Sequence, residues 1–258
     1  MELSKRLSVV AELLREQRVA DIGSDHALLP VYLIREKLAT AVVAGEYNPG
    51  PLAAARRQVK AAGLSGRVDV RGGDGLEVLV PGEVEAICLA GMGGGLIRDI
   101  LEKGRREGKL EGVRELVLQP NIGAELVRAW LVRHDWYLDA ERILEEDGKI
   151  YEVLRASRPA ESRSLNARLY ADGALVLGGG RALPGRQLYR LGPWLLREAG
   201  AVWRRHWESE QAKLERVAAG LGKASGPEAK DKAREVQVQI ETIKEVLACT
   251  SKDKPSFN

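Results

Sequence analysis

The stretch "VADIGSDHALLP", residues 19–30, decides how the rest of the chain is read. Val19, Ala20 and Ile22 have the character of a buried strand end, and Gly23 permits a tight turn. A dinucleotide-binding turn would continue with further glycines at fixed spacing. Here Ser24, Asp25 and His26 follow instead. A turn of this kind, at the carboxyl edge of an α/β sheet, sits where such folds bind ligands. Dinucleotide turns hold a pyrophosphate against free backbone N–H groups, and Asp25 would repel it. The turn therefore suits a ligand with a cationic group, such as S-adenosylmethionine (SAM) with its amino group and sulfonium. Capping of the following helix is the competing use of Asp25, and this stretch alone leaves both open.

Outward from that turn, short apolar runs alternate with helical periodicity. "SKRLSVVAELLREQ" (4–17) places Leu7, Val10, Leu13 and Leu14 on one helix face. Strands are expected at 18–22, 41–45, 67–71, 85–90 and 115–118, with helices near 29–37, 50–62, 94–107 and 123–134. Strand and helix alternating at this spacing predict a parallel sheet covered on both faces, a Rossmann-like α/β domain. In "DWYLDAERILEEDGKIYEVLRAS" (135–157) two strands meet at Asp147-Gly148, an antiparallel pair that closes the sheet. The domain is expected to end near residue 158.

Residues 159–190, with Gly178, Gly179, Gly180, Pro184 and Gly185, read as a connecting segment with a short helix around 165–170. From Trp194 onward Leu195, Ala199, Val202, His206, Leu214, Val217 and Leu221 keep a spacing of roughly three to four. Ala229, Ala233, Val236, Ile240, Ile243 and Leu247 then form a heptad seam. "LGKASGPE" (221–228) breaks the two runs, with Pro227 near a first turn. The expectation is an α-helical coiled-coil hairpin over 191–250, its first helix about 42 Å long, and a flexible tail at 251–258.

The 258 residues are 45% apolar and 30% charged, with formal net charge +3. That is the balance of a soluble globular protein. Residues 1–158 hold 23 Lys+Arg against 25 Asp+Glu, and residues 159–258 hold 17 against 12, so the basic excess lies at the C-terminal end. It fits an acidic polymer, as do many solvated helices. Cys88 and Cys249 form neither a metal-ligand spacing nor a disulfide framework, and no metal is expected. No apolar run approaches the ~18 residues of a membrane helix, which predicts a cytoplasmic protein without a membrane partner, monomeric or weakly dimeric.

Four more signals fall at strand ends. Glu46, in "VVAGEYNPG", lies 23 residues after Gly23, and an acidic residue about 20 positions on commonly accepts ribose hydroxyls. Asp74, in "RGGDGLEVL", could accept from an adenine amine, although Gly-Asp-Gly is also an ordinary turn. "CLAGMGGGLI" (88–97) carries four glycines in residues 91–95, which lets a ligand approach the backbone; Met92 packs either on that ligand or in the core. "LVLQPNIG" ends in Gln119-Pro120-Asn121, whose amides can read an adenine edge, while Asn121 is equally suited to cap a helix. Five such signals at the ends of five successive strands converge on one crevice.

In this order "LSKRLSVVAELL", "ADIGSDHALLP", "GDGLEV", "AGMGG", "LQPN" and "LEEDGKIYEVL" resemble the TrmK family, the bacterial tRNA (adenine-22)-N1-methyltransferases. The resemblance covers residues 3 to about 155, and the helical hairpin is similar to that family's C-terminal domain. Leu28 departs from the aromatic residue common there.

The resemblance implies a class I SAM-dependent methyltransferase that methylates N1 of adenine 22 in the D-arm of tRNA. It implies that Asp21, Gly23, Ser24 and Asp25 line the methionine end of SAM. Glu46, with its neighbours Tyr47 and Asn48, would hold the ribose, and Asp74 with Gly75 the adenine. Ala90, Gly91 and Met92 would lie beside the transferable methyl, while His26, Gln119 and Asn121 would face the target base. Asp25 is the candidate to stabilise charge on that base and His26 a candidate proton acceptor. Arg197, Arg204, Arg205 and Lys213 are candidate phosphate contacts, and Trp194, Trp203 and Trp207 are expected to pack on the catalytic domain. The competing readings are a methyltransferase for another RNA or a small molecule, a nicotinamide oxidoreductase and a non-catalytic coiled-coil protein.

Overall fold

The computed structural model describes residues 2–177, 180–221, 227–250 and 256–257, with the backbone alone at 181, 227–229 and 256–257. It divides into two compact units, Met1–Arg168 and Leu169–Asn258.

The first unit runs α1 (Lys5–Leu13), β1 (Arg18–Ile22), α2 (Leu28–Arg35), β2 (Ala41–Glu46), α3 (Pro49–Ala61) and β3 (Val68–Gly72). A 3-10 turn (Gly75–Val78) leads to β4 (Ala86–Gly93), α4 (Gly94–Arg106), β5 (Glu115–Ile122) and α5 (Ala124–Arg133). The antiparallel pair β6 (Tyr137–Glu146) and β7 (Lys149–Ser157) and then α6 (Ser162–Leu169) complete it. The sheet order is β3-β2-β1-β4-β5-β7-β6. The first five strands are parallel, and β7 inserts antiparallel between β5 and β6.

The local causes are legible. Ser4 Oγ accepts from Leu7 N at 3.2 Å and caps α1. Pro49 opens α3, where its missing N–H costs nothing. Asp147 and Gly148 both have positive φ (50° and 71°), the type I′ geometry that matches strand twist, so Asp147 shares the role expected of Gly148 alone. After an exposed first residue, β1 and β2 are buried along their remaining length, as parallel strands covered on both faces must be. Leu33, Ile34, Val10 and Val19 fill one side of the core, and each buried side chain of this size contributes about 1.5–3 kcal/mol.

In the second unit β8 (Leu175–Leu177) and β9 (Arg181–Ala182) precede α7 (Gly185–Leu191) and α8 (Pro193–Glu198). The hairpin α9 (Ala201–Leu221) and α10 (Pro227–Thr250) follows, then β10 (Ser256–Phe257), which pairs with β8. The segment 159–190, expected as a connection, thus carries α6, two short strands and α7. The contact boundary falls at 168/169 because α6 is tied to the first unit: Asn166 Nδ2 donates to the Trp136 carbonyl at 2.9 Å, and Arg163 pairs with Asp135 at 2.8 Å.

The first hairpin helix is shorter than expected. Ala199 adopts a left-handed conformation (φ 42°), which separates α8 from α9 and leaves α9 with 21 residues, about 32 Å. Its inward face is also different. Trp203 and Trp207 are buried while Val217 is 46% exposed. Trp203 Nε1 donates to the Leu191 carbonyl at 3.0 Å, which ties this ring to α7 of the same unit. Along α10 the expected seam does face inward at Val236, Ile240, Ile243 and Leu247, while the side chain of Ala229 and the tail residues 251–255 and 258 lie outside the described residues. No helix among the described residues is long and apolar enough to cross a membrane.

Candidate active site

Strand order reverses at β1, which has β2 on one side and β4 on the other. The carboxyl ends of β1 and β4 therefore part around a crevice, the place where open α/β sheets bind ligands.

The turn after β1 is latched to β2: Gly23 N and Ser24 N both donate to the Gly45 carbonyl, at 2.8 and 3.0 Å. Gly23 has φ 75°, a left-handed conformation that favours glycine, and a Cβ there would displace the Met92 methyl that packs against it. Asp25 (φ 49°) and Ala27 (φ 55°) are also left-handed, a backbone strain that the surrounding structure must sustain. Ala27, not Asp25, is the N-cap residue of α2, and no side chain caps that helix. The capping alternative for Asp25 is thereby excluded. Its carboxylate stays 67% exposed, 3.5 Å from His26 Nε2.

Three carboxylates gather around this turn. Asp21 is buried and accepts from Ser24 Oγ at 2.6 Å and from the Cys88 thiol. Burial pushes its pKa up to about 6 against the opposing pull of those two hydrogen bonds; Glu46 adds to the rise and Arg6 offsets it. The Cys88 thiol is itself pushed well above its ordinary value by burial. Glu46, at the end of β2, accepts from Asp25 N (3.1 Å), Asn48 N (2.8 Å) and Asn48 Nδ2 (3.2 Å). Among the described residues no lysine or arginine pairs with Asp21, Asp25 or Glu46 at ion-pair distance. Such an anionic turn has the donor set to receive a cationic ligand with hydroxyl groups.

Tyr47 stands 70% exposed beside Glu46. Gly73 N donates to the Glu46 carbonyl at 3.2 Å and brings the β3 turn alongside. Asp74 and Gly75 follow it, with the Asp74 carboxylate 3.1 Å from Lys103 Nζ of α4.

The β4–β5 side is built by a bulge. Pairing slips between Ala90 and Met92 and again between Met92 and Gly93, and Gly91 has φ 80°. A bulge of this kind re-aims side chains beside a site. The displaced backbone is held by two amides. Gln119, fully buried, accepts from Gly91 N (2.9 Å) and Arg6 Nη1 (2.6 Å) through Oε1 and donates to Asn121 Oδ1 (3.1 Å). Asn121 Nδ2 then donates to the Gly91 carbonyl at 2.8 Å. These contacts fix which end of each amide is oxygen. Gly123 is the N-cap residue of α5, so Asn121 does not cap that helix.

Arg6 is the residue that sequence reasoning missed. Glu146 accepts from Lys5 N and, at 3.3 Å, from Arg6 N, and this anchors the start of α1. The Arg6 guanidinium then lies 5.7 Å from the Tyr151 ring centroid and bonds to Gln119. Nothing local marks it, since its partner is 113 positions away. A cleft of about 240 Å³ near the amino ends of β1 and β2 is lined by Arg18, Arg67, Arg71 and Glu83. There Arg71 already pairs with Asp69 and Glu83, so the cleft stands apart from the crevice.

Comparison with known proteins adds an independent line. Residues 19–245 match the family model described as tRNA (adenine(22)-N(1))-methyltransferase, TrmK. The Bacillus subtilis (strain 168) tRNA (adenine(22)-N(1))-methyltransferase is 41% identical over 249 residues, 96% of this chain and 98% of the relative. The crystal structure of B. subtilis TrmK superposes with a TM-score of 0.84 at 40% identity, covering 95% of this chain and 99% of that one. A Streptococcus pneumoniae structure solved with S-adenosyl-L-methionine superposes with a TM-score of 0.77 at 34% identity, covering 95% and 100%.

Proposed function

The chain belongs to the tRNA (adenine(22)-N(1))-methyltransferase family, TrmK, and from that premise we infer that it methylates N1 of adenine 22 in tRNA with SAM as methyl donor. The observation that carries the reading is the crevice itself, where Asp21, Asp25 and Glu46 gather beside the Gly91 bulge with no lysine or arginine at ion-pair distance among the described residues. A cationic donor needs the first feature, and close approach of a base needs the second.

Bound SAM supplies an electrophilic methyl on a sulfonium whose leaving group is a neutral thioether. Adenine N1 already carries a lone pair, so the chain needs no base to prepare the nucleophile. Its main task is alignment, which turns an encounter into a near-unimolecular step. Asp21, Gly23, Ser24 and Asp25 hold the methionine end, and the Arg6 guanidinium would pair with its carboxylate. Glu46 and Asn48 take the ribose hydroxyls, Tyr47 covers the nucleoside, and Asp74 with Gly75 meets its adenine. Ala90, Gly91 and Met92 border the methyl. Asn121 meets the target base, and the buried Gln119 acts through Asn121 and Gly91 as a positioning residue. Methylation leaves the base positively charged, and the exposed Asp25 carboxylate, with His26 next to it, stabilises that charge.

In the second unit, Lys213 and Arg205 are exposed on α9 and offer phosphate contacts. Arg204 instead donates to the Leu247 carbonyl and Thr250 Oγ1, holding the hairpin together. Arg197 lies against Trp194, at 5.8 Å from the ring centroid. The unpaired thiols Cys88 and Cys249 support a cytoplasmic setting.

The test is transfer from labelled SAM to unmodified tRNA, with the product located by nuclease digestion and mass spectrometry. The expected product is 1-methyladenosine at position 22. A methyl group at another base or atom, or SAM binding without transfer, would refute the reading.

A further inference from the structure

Among the described residues, Ile122 is the most exposed large apolar side chain, at 77%. It is the last residue of β5 and directly follows Asn121, at the mouth of the crevice. Leu96 (54% exposed) and Leu126 (39%) are also open, on the first turns of the helices that follow β4 and β5. A side chain that gains so much from burial is seldom left this open beside a site without a partner that covers it.

The surroundings of Ile122 are flat and rigid. It pairs across the ladder with Gly93, where a Cβ would sit 3.9 Å from Ile122 Cγ1; a Cβ on Gly95 would sit 3.9 Å from Leu126 Cδ1. The glycines thus leave a floor of bare backbone between Met92 and the apolar group. Gly94 locks this floor in place, because its Cα packs against Gly123 so closely that a Cβ would fall 2.0 Å from the Gly123 carbonyl oxygen. The side chain therefore projects from a fixed platform instead of a loose loop.

Adenine N1 is engaged when the base is paired, so the target must leave its stack to be methylated. Proteins that open a stack commonly insert an apolar side chain, isoleucine among them, between bases. We propose that Ile122 is the wedge that enters the tRNA stack and fills the place vacated by the target adenine. The occupant of this apolar patch is thus the pair of nucleobases flanking the target. The inference rests on the methyltransferase reading above and adds the residue that exposes the base.

The test compares kcat/KM for the intact enzyme and Ile122→Ala on two tRNAs, one with its natural nucleotide opposite adenine 22 and one with an abasic nucleotide there. With the side chain so exposed, the substitution leaves the fold intact, and SAM affinity measured by calorimetry should change less than about twofold. The wedge predicts a loss of about tenfold or more on the natural tRNA and less than about threefold on the abasic one, where part of the cost of opening is already removed. An equal loss on both tRNAs, or no loss on the natural one, overturns the wedge while the methyltransferase reading stands. Failure of the unsubstituted enzyme to methylate either tRNA overturns both.

Discussion

Two groups of carboxylates in the first unit have opposite fates. On α5, β6 and β7, Arg128 is fully buried between Glu141 and Glu152, with guanidinium-to-carboxylate distances of 2.5 Å to each. At the crevice, Asp21 accepts from a hydroxyl and a thiol, Glu46 accepts from two backbone N–H groups and an amide, and the exposed Asp25 carboxylate lies beside His26, with no arginine or lysine at ion-pair distance among the described residues. Burying charge is costly unless it is paired. The first group meets that condition from within the chain, and the second leaves it to a ligand. In this pair of groups the saturated charge is architectural and the unsaturated charge lies at the site, while Asp74 at the β3 turn is itself paired with Lys103.

The contrast can be broken at its strong end. Arg128→Ala leaves Glu141 buried without its partner, which should cost about 3–5 kcal/mol of folding stability in denaturant titration. SAM affinity of the molecules that remain folded should not change. A stability loss below about 1 kcal/mol would mean that water or local rearrangement replaces the pair.

The smaller effect sharpens the other end. Asp21 has a folded-state pKa of about 6 against an ordinary 3.8, so the folded chain holds this proton more tightly than the unfolded one. This group therefore adds stability as pH falls from above 6 towards 3.8 and withdraws it above 6, by up to about 3 kcal/mol. A cationic ligand prefers the ionised form and reverses the trend in binding. SAM affinity should fall as pH drops through about 6, approaching tenfold per pH unit, and Asp21→Asn should flatten that dependence. An unchanged slope in Asp21→Asn would assign the pH effect to another group.

Much of the fold was legible because it is written locally. Residues 18–22 and 41–45 are apolar runs bounded by turn residues, and both became strands within a residue of the expected ends. The Asp147-Gly148 hairpin and the α10 seam followed from turn chemistry and heptad spacing in the same way. Convergence of strand ends pointed to the crevice; in the structure the β1 turn is bonded to Gly45 and Glu46 at the end of β2, and Gln119 is bonded to Gly91 at the end of β4. Non-local features stayed hidden. Arg6 depends on an anchor from Glu146, and the Gly91 bulge depends on two side chains of the next strand. The break at Ala199 is a left-handed conformation that alanine does not advertise. The inward face of α9 is set by Trp203 and Trp207, which a three-to-four spacing of aliphatic residues passes over.

Of the three crevice carboxylates assigned to methyl transfer, Asp25 is the most exposed. The direct measurement is kcat for tRNA methylation at saturating SAM in Asp25→Asn, alongside the unsubstituted enzyme. The expected result is a loss of about a hundredfold in kcat, in line with removal of one charge-stabilising group, with tRNA affinity and thermal stability retained. Unchanged turnover in Asp25→Asn would contradict it.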